Sequence, residues 1–257
     1  MTIRLAELPR PLKVASGGFV LLLCSAYLLG QVTLWAKDGD GALPGPDAVL
    51  AKYHGSPEGS RLHRVLAADV PPTSPRAMWL YLDPLGDADA IQARRETVLG
   101  WVEAGAPRDG WPAIQEVLHQ QGTCLQCHAY GMEKQDLPLE TYEQVLVVAT
   151  KGGGIPLAPL LTSAHNHVFA FAVLAFLLSV LVALTRLPAR LSLGLMVTAY
   201  AGAALDIGGW FLTRALGPPW QWAVIGGGAL FGLAVGAMAL VVLVDLLRPT
   251  GRGNPSG

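Results

Sequence analysis

Apolar residues gather along this chain into four long runs: 14–34, 168–185, 191–213, which only Asp206 interrupts, and 220–244. Each approaches the ~20 residues that a helix needs to cross ~30 Å of hydrocarbon. They predict membrane helices over 14–35, 165–186, 190–213 and 219–247, with short ends at 1–13 and 248–257; the second run can extend back towards Leu160. Between the first two spans lies a block, 36–164, the size of one small domain. Its pattern is different. Apolar positions recur three and four apart, and no convincing strand alternation occurs. Residues 36–48 read as a linker rich in Gly, Asp and Pro, and 46–54 as a short helix with Asp47 near its start. Ser60 reads as the N-cap of a helix carrying Leu62, Val65 and Leu66 on one face. Prolines 71, 72 and 75 impose an irregular loop over 69–75. A longer helix is predicted over 87–104, with Ile91, Val98, Leu99 and Val102 inward, ended by Gly105-Ala106-Pro107. Another runs from Pro112 to about Gly122 on Ile114, Val117 and Leu118, and a last one over 137–150. The predicted fold is all-α: four transmembrane helices, with a small helical extracytoplasmic domain between helices 1 and 2.

Composition agrees with the spans. The 257 residues are 52% hydrophobic and only 14% charged, against about 25% charge in soluble domains. Basic residues set the orientation. Arg4, Arg10 and Lys13 precede the first span, Arg186 and Arg190 link the second and third, and Arg248 and Arg252 follow the fourth. Only Arg214 lies in the link between the third and fourth. Both termini are therefore expected in the cytoplasm, and the block on the periplasmic side of the inner membrane. The first run reads as an uncleaved anchor rather than a signal peptide, because Trp35-Ala36-Lys37-Asp38 offers no small-residue cleavage site. Cys24 within it reads as an ordinary small apolar residue.

The chemistry concentrates in Cys124-Leu125-Gln126-Cys127-His128, a C-x-x-C-H pentapeptide. This is the attachment signature of a c-type haem. Two thiols three positions apart can each add to one vinyl group of a porphyrin, and the adjacent His128 can offer an imidazole as proximal iron ligand. A zinc ribbon would need a second pair of ligands, and the remaining cysteine is Cys24. A thioredoxin-type pair would need a βαβ context. One covalently attached haem c is the expected cofactor.

Around this motif the chain resembles a class I cytochrome c. The stretch from Ile114 to His128 resembles the first helix and haem site of that family. The stretch Thr97-Val-Leu-Gly-Trp-Val-Glu-Ala-Gly-Ala-Pro107 resembles its closing helix, and Ser60-Arg61-Leu62 followed by Met78 resembles the segment that carries the distal methionine. The order departs from the family, which puts C-x-x-C-H first. The block, over about 50–150, therefore resembles a cytochrome c domain whose halves are exchanged in sequence, a change that exposed termini tolerate. The resemblance implies Met78 as first candidate for the distal ligand, with His54 of Tyr53-His54-Gly55 as the alternative. His63 reads as a solvated helix side chain, His119 as facing away, and Met132 as too close to His128.

The membrane half has its own constellation. His165-Asn166-His167 is expected at the outer end of the second span. Asp206 falls roughly 10 Å below the outer end of the third by helix rise, and an ionisable group at such depth marks a site. His165, His167 and Asp206 are candidates for a metal or for a quinol and its protons. Trp210, Trp220 and Trp222 read as an aromatic belt, and Gly228, Gly232 and Gly236 as a helix-packing face. No histidine lies in the middle of any apolar run, which excludes a bis-histidine haem between these spans.

Charge distinguishes the halves. Residues 36–164 hold 10 Lys and Arg against 16 Asp and Glu, near −6, while the whole chain is −1. An acidic exterior suits a basic redox partner such as a soluble cytochrome. Nothing indicates nucleic acid, and Gly152-Gly153-Gly154 lacks the Lys and Ser/Thr of a phosphate loop. These features suggest a membrane-bound monohaem c-type cytochrome carrying single electrons between a membrane donor, with quinol a candidate, and a periplasmic acceptor. The alternatives are a haem-based sensor or enzyme with an open sixth position, and an accessory haem subunit of a larger respiratory complex.

Overall fold

The computed structural model describes residues 4–38, 45–68, 70, 72, 77–83 and 85–248. Ten α-helices occur among them, with short 3-10 turns and no β-strand. Four are long: α1 (Arg10–Asp38), α8 (Leu157–Ala183), α9 (Ala189–Leu216) and α10 (Gln221–Leu247). All four are long and apolar enough to cross a membrane. Between α1 and α8 come α2 (Pro46–Tyr53), α3 (Arg61–Ala67), α4 (Ala88–Glu103), α5 (Trp111–His119), α6 (Leu125–His128) and α7 (Tyr142–Ala149). The chain divides into two units, 1–36 with 166–210 and 222–257, and 37–165 with 211–221.

The membrane unit packs around Phe231, Val235, Met238, Ala239 and Val242 of α10, which meet Val20, Ala175, Leu178, Val182 and Ala199 from the other three long helices. Dispersion between well-fitted surfaces drives such contacts where lipid is as apolar as the protein, so small residues gather at them. A Cβ on Gly202 of α9 would stand 2.6 Å from the Phe231 backbone nitrogen, and one on Gly209 2.9 Å from that of Val224. On α10 the equivalent residue is Gly227, whose missing Cβ would run into the Asp206 backbone. The expected packing face of Gly228, Gly232 and Gly236 is used in part. A Cβ on Gly228 would lie in ordinary contact with the Asp206 carboxyl of α9, one on Gly232 would run into the Tyr27 hydroxyl of α1, and Gly236 has open space.

The second unit is built as the apolar spacing requires. The Ser60 hydroxyl caps α3 by accepting the His63 N–H at 3.0 Å. Asp87 caps α4 through the Asp89 and Ala90 N–H groups. Gly105, at φ 90°, closes α4 in the left-handed conformation that glycine adopts freely. The final helix starts later than the sequence predicts, at Tyr142 rather than 137. The reciprocal capping of Thr141 and Gln144 fixes that start, and leaves 137–141 extended. The expected linker over 36–48 lies partly outside the described residues, as does most of the proline loop at 69–75.

One apolar core joins these helices. It contains Leu66, Leu82, Val98, Trp101, Val102, Ile114, Leu118, Leu139, Val145 and Val148, with Cys124 and Leu125 packed against it. Two arginines of α4 fasten the flanking segments. Arg94 pairs with the buried Asp83 at 2.9 Å and donates to the Leu82 carbonyl. Arg95 donates to the Leu66 carbonyl at 2.6 Å and lies over the Trp79 ring. They hold the 3-10 turn Met78–Leu82 against α4. Leu118 is fully buried at the centre. Leu118→Ala is expected to cost about 2–5 kcal/mol of unfolding free energy, read as a lower denaturant midpoint for the full chain in detergent. An unchanged midpoint would place Leu118 outside the core.

Candidate haem-attachment site and membrane cluster

Gly122, at φ 85°, ends the α5 segment. The buried Thr123 hydroxyl turns the chain by donating to the Leu118 and Gln120 carbonyls at 2.8 and 2.6 Å. The single turn α6 follows, and the His128 N–H donates to the Cys124 carbonyl at 2.9 Å. One helical turn brings Cys124, Cys127 and His128 together on a single short element. None of Cys24, Cys124 and Cys127 forms a disulfide. Among the described residues no group of three or more His, Cys, Asp or Glu comes together in a way that would hold a metal ion. Burial pushes the Cys124 thiol up to about 11. A redox dithiol of the thioredoxin kind requires the opposite, a depressed thiol pKa.

Beyond His128 the chain folds back on it. The Lys134 N–H donates to the Cys127 carbonyl, and the Leu139 N–H to the His128 carbonyl, both at 2.8 Å. This return puts the Leu137 carbonyl 2.8 Å from His128 Nδ1. A carbonyl only accepts, so Nδ1 carries the proton and the lone pair resides on Nε2, the arrangement found in metal-ligating histidines. The His119 Nε2 meets the Leu139 carbonyl at 3.2 Å, joining α5 to the returning segment. His63 reaches Glu103 at 3.3 Å.

The two candidates for a distal ligand stand in different surroundings. Met78 begins the 3-10 turn, 42% exposed, beside Trp79, which packs on the same core as Cys124. His54 occupies the turn after α2. Its Nδ1 meets the Arg214 carbonyl at 3.2 Å, and its ring lies against Gly217. Arg214 in turn donates to the Ile155 carbonyl at 3.0 Å.

Two polar groups that sequence reasoning passed over are conspicuous. Arg61 Nη1 and Trp79 Nε1 are buried donors without a hydrogen-bond partner. Both residues belong to elements packed on the core that also receives Cys124 and Leu125. Burial, with the nearby Arg64, pulls the Arg61 pKa down, while Asp136 opposes this. A buried donor left unpaired is costly. Each would be satisfied by a carboxylate.

In the membrane unit, α8 begins at Leu157, eight residues before the expected 165. Pro156 stands immediately before that helix, and the apolar 157–161 continues it outward. His167 is therefore not at the end of the helix. It lies ten residues inside α8, and Asp206 lies ten residues from the end of α9. At 1.5 Å per residue both stand about 15 Å from those ends. The Asp206 Oδ1 accepts a hydrogen bond from Trp210 Nε1 at 3.0 Å. The Trp210 ring meets that of His167 edge to face, with centroids 5.0 Å apart. His165 does not join them, since two residues turn a helix through 200°. Trp210 is also no belt residue, being 6% exposed, whereas Trp220 and Trp222 are exposed as a belt requires. Its spacing of four from Asp206 was the available signal.

Residues 154–253 match a protein family described as a transmembrane helical domain. Neither a curated protein nor a solved structure matches the chain. The matched stretch covers the last three long helices and is separate from the C-x-x-C-H motif. The chain is a multi-pass membrane protein with four candidate spans. Trp210→Phe keeps the ring and removes the donor to Asp206. It is expected to destabilise the membrane unit by about 1–3 kcal/mol, measured by SDS titration of helicity, and an unaltered titration would make that bond incidental.

Proposed function

We propose that the chain is a membrane-anchored monohaem cytochrome of c type, carrying single electrons between a donor in the membrane and an acceptor on the periplasmic side of the inner membrane. The observation that carries this reading is the His128 ring, its Nδ1 proton committed to the Leu137 carbonyl and its Nε2 lone pair available to a metal, on the same helical turn as Cys124 and Cys127. The residues present fit a haem. Cys124 and Cys127 would hold it by thioether bonds, and His128 would be the proximal ligand. The unpaired donors of Arg61 and Trp79 match the two carboxylates of a porphyrin's acid edge. Leu62, Leu66, Leu125 and Leu137 belong to the apolar cluster around this region and would keep water from the ring. When bound, the iron supplies a one-electron couple between its ferric and ferrous states.

Met78 is the better of the two distal candidates. It adjoins Trp79 on the segment fastened by Arg94 and Arg95, whereas His54 is engaged with Arg214. A thioether in the sixth position raises the potential relative to a second histidine. The acidic block favours a basic partner through steering. The basic residues at the other ends of the spans support an outward block, the side on which covalent haem attachment is expected.

If the haem is attached, alkylation of the denatured chain reaches one thiol, Cys24, and three reactive thiols would end the reading. Met78→Ala is expected to turn a six-coordinate spectrum into one that binds carbon monoxide readily; an unchanged spectrum would move the sixth ligand to His54. Arg61→Leu removes a positive charge next to the cofactor, which favours the more positive ferric state. The reduction potential should fall, and a constant potential would disconnect Arg61 from the haem.

A further inference from the structure

The Asp206 carboxyl needs an explanation that packing does not provide. It is 9% exposed on a helix able to span a membrane, where a charged side chain costs ~2.5–3.5 kcal/mol even on insertion scales. Among the described residues no Lys or Arg pairs with it. Its hydrogen bond comes from Trp210 Nε1, a neutral donor. The facing helix α10 packs closely at this level: a Cβ on Gly227 would run into the Asp206 backbone, and one on Gly228 would lie in ordinary contact with the carboxyl. The carboxyl is thus closed in on the α10 side, and aromatic side chains stand on the other.

Aromatic rings frame it. Trp210 meets His167 at 5.0 Å, and His167 meets the edge of Phe171 at 5.7 Å. Phe171 stacks on Phe231 at 4.2 Å. His167 is exposed on α8, on a surface that faces lipid if α8 spans the bilayer. A ligand moving laterally in the membrane would therefore meet an imidazole first and a carboxyl behind it, with aromatic faces alongside. The imidazole can donate or accept a hydrogen bond, and the carboxyl accepts one when ionised and donates one when protonated.

We propose that His167, Trp210 and Asp206 form a binding site for the head group of a lipid-soluble quinone or quinol. The chemistry of that class fits each feature. It is a flat ring that packs against aromatic side chains. It carries oxygens on opposite edges, which suit two hydrogen-bonding groups on neighbouring helices. It is soluble in the lipid that an exposed side chain of a membrane-spanning helix faces. An anionic lipid is disfavoured by the carboxyl, and a hydrocarbon chain would leave both polar groups unused. The inference deepens the electron-carrier reading by naming the class of its membrane donor, and its physiological sense rests on that reading; the binding itself does not.

The test uses the purified full chain in lipid nanodiscs with an azido-substituted short-chain quinone as photolabel and decylubiquinone as competitor. The expected result is saturable labelling of peptides containing His167 or Trp210, suppressed by the competitor. His167→Ala and Asp206→Ala are each expected to weaken decylubiquinone binding about tenfold, the loss of one hydrogen bond to a buried group. Helicity and visible colour serve as controls for folding and for haem. Labelling spread over the lipid-facing surfaces of all four long helices, indifferent to competitor, would overturn the site. So would unchanged affinity in both variants. If a variant unfolds, the competed labelling pattern of the unaltered chain decides alone. A colourless chain that still binds quinone at these residues upholds the site and removes only the electron-carrier reading, whereas a coloured chain without such binding removes only the site.

Discussion

A single hydrogen bond, from His128 Nδ1 to the Leu137 carbonyl, ties the chemistry of this chain to its fold. It exists because residues 129–139 return along α6, and they return because Lys134 and Leu139 donate to the carbonyls of Cys127 and His128. The return is secured from outside by the Thr141–Gln144 cap at the start of α7 and by His119 reaching from α5. Three helices and one extended segment thus converge on the orientation of one imidazole. Fixing the proton on Nδ1 leaves Nε2 as the basic nitrogen, and a ring held this way loses little freedom on taking a ligand.

The membrane unit follows another constraint. Where lipid supplies no hydrophobic drive, helices approach closely only where side chains are missing. Gly202 and Gly209 of α9 and Gly227 of α10 provide this. That close approach puts the one acidic residue of the apolar part of α9 against the α10 backbone. Trp210 satisfies one oxygen from a turn away. The cost of a carboxyl in this position is of the kind that persists for function.

Much of the all-α organisation was legible because its signals are periodic or compositional. Ser60, Asp87 and Gly105 mark helix ends by local chemistry, and the structure uses them so. Four apolar runs, one of them broken only by Asp206, predict four long helices with little room for another outcome. Less legible were features decided by which way a helix is turned or how far it extends. The apolar 157–161 adjoins the run at 168 across a polar patch, so α8 was expected to start too late, and His167 to lie too shallow for Asp206. Gly227 and Gly228 are equivalent as letters and differ by 100° in space. Trp210 reads as a belt residue until its register with Asp206 is considered. The unpaired donors of Arg61 and Trp79 depend on tertiary burial, which no local pattern reveals.

The central claim is that an iron porphyrin is bonded covalently to α6 through Cys124 and Cys127. Intact-mass spectrometry of the chain, purified from a host able to attach c-type haem and then fully denatured and washed free of loose cofactor, tests it directly. The account predicts one species, heavier than the bare polypeptide by the mass of a single haem, with the added mass on the peptide containing Cys124 and Cys127. A polypeptide of unmodified mass, with both thiols intact, would contradict it.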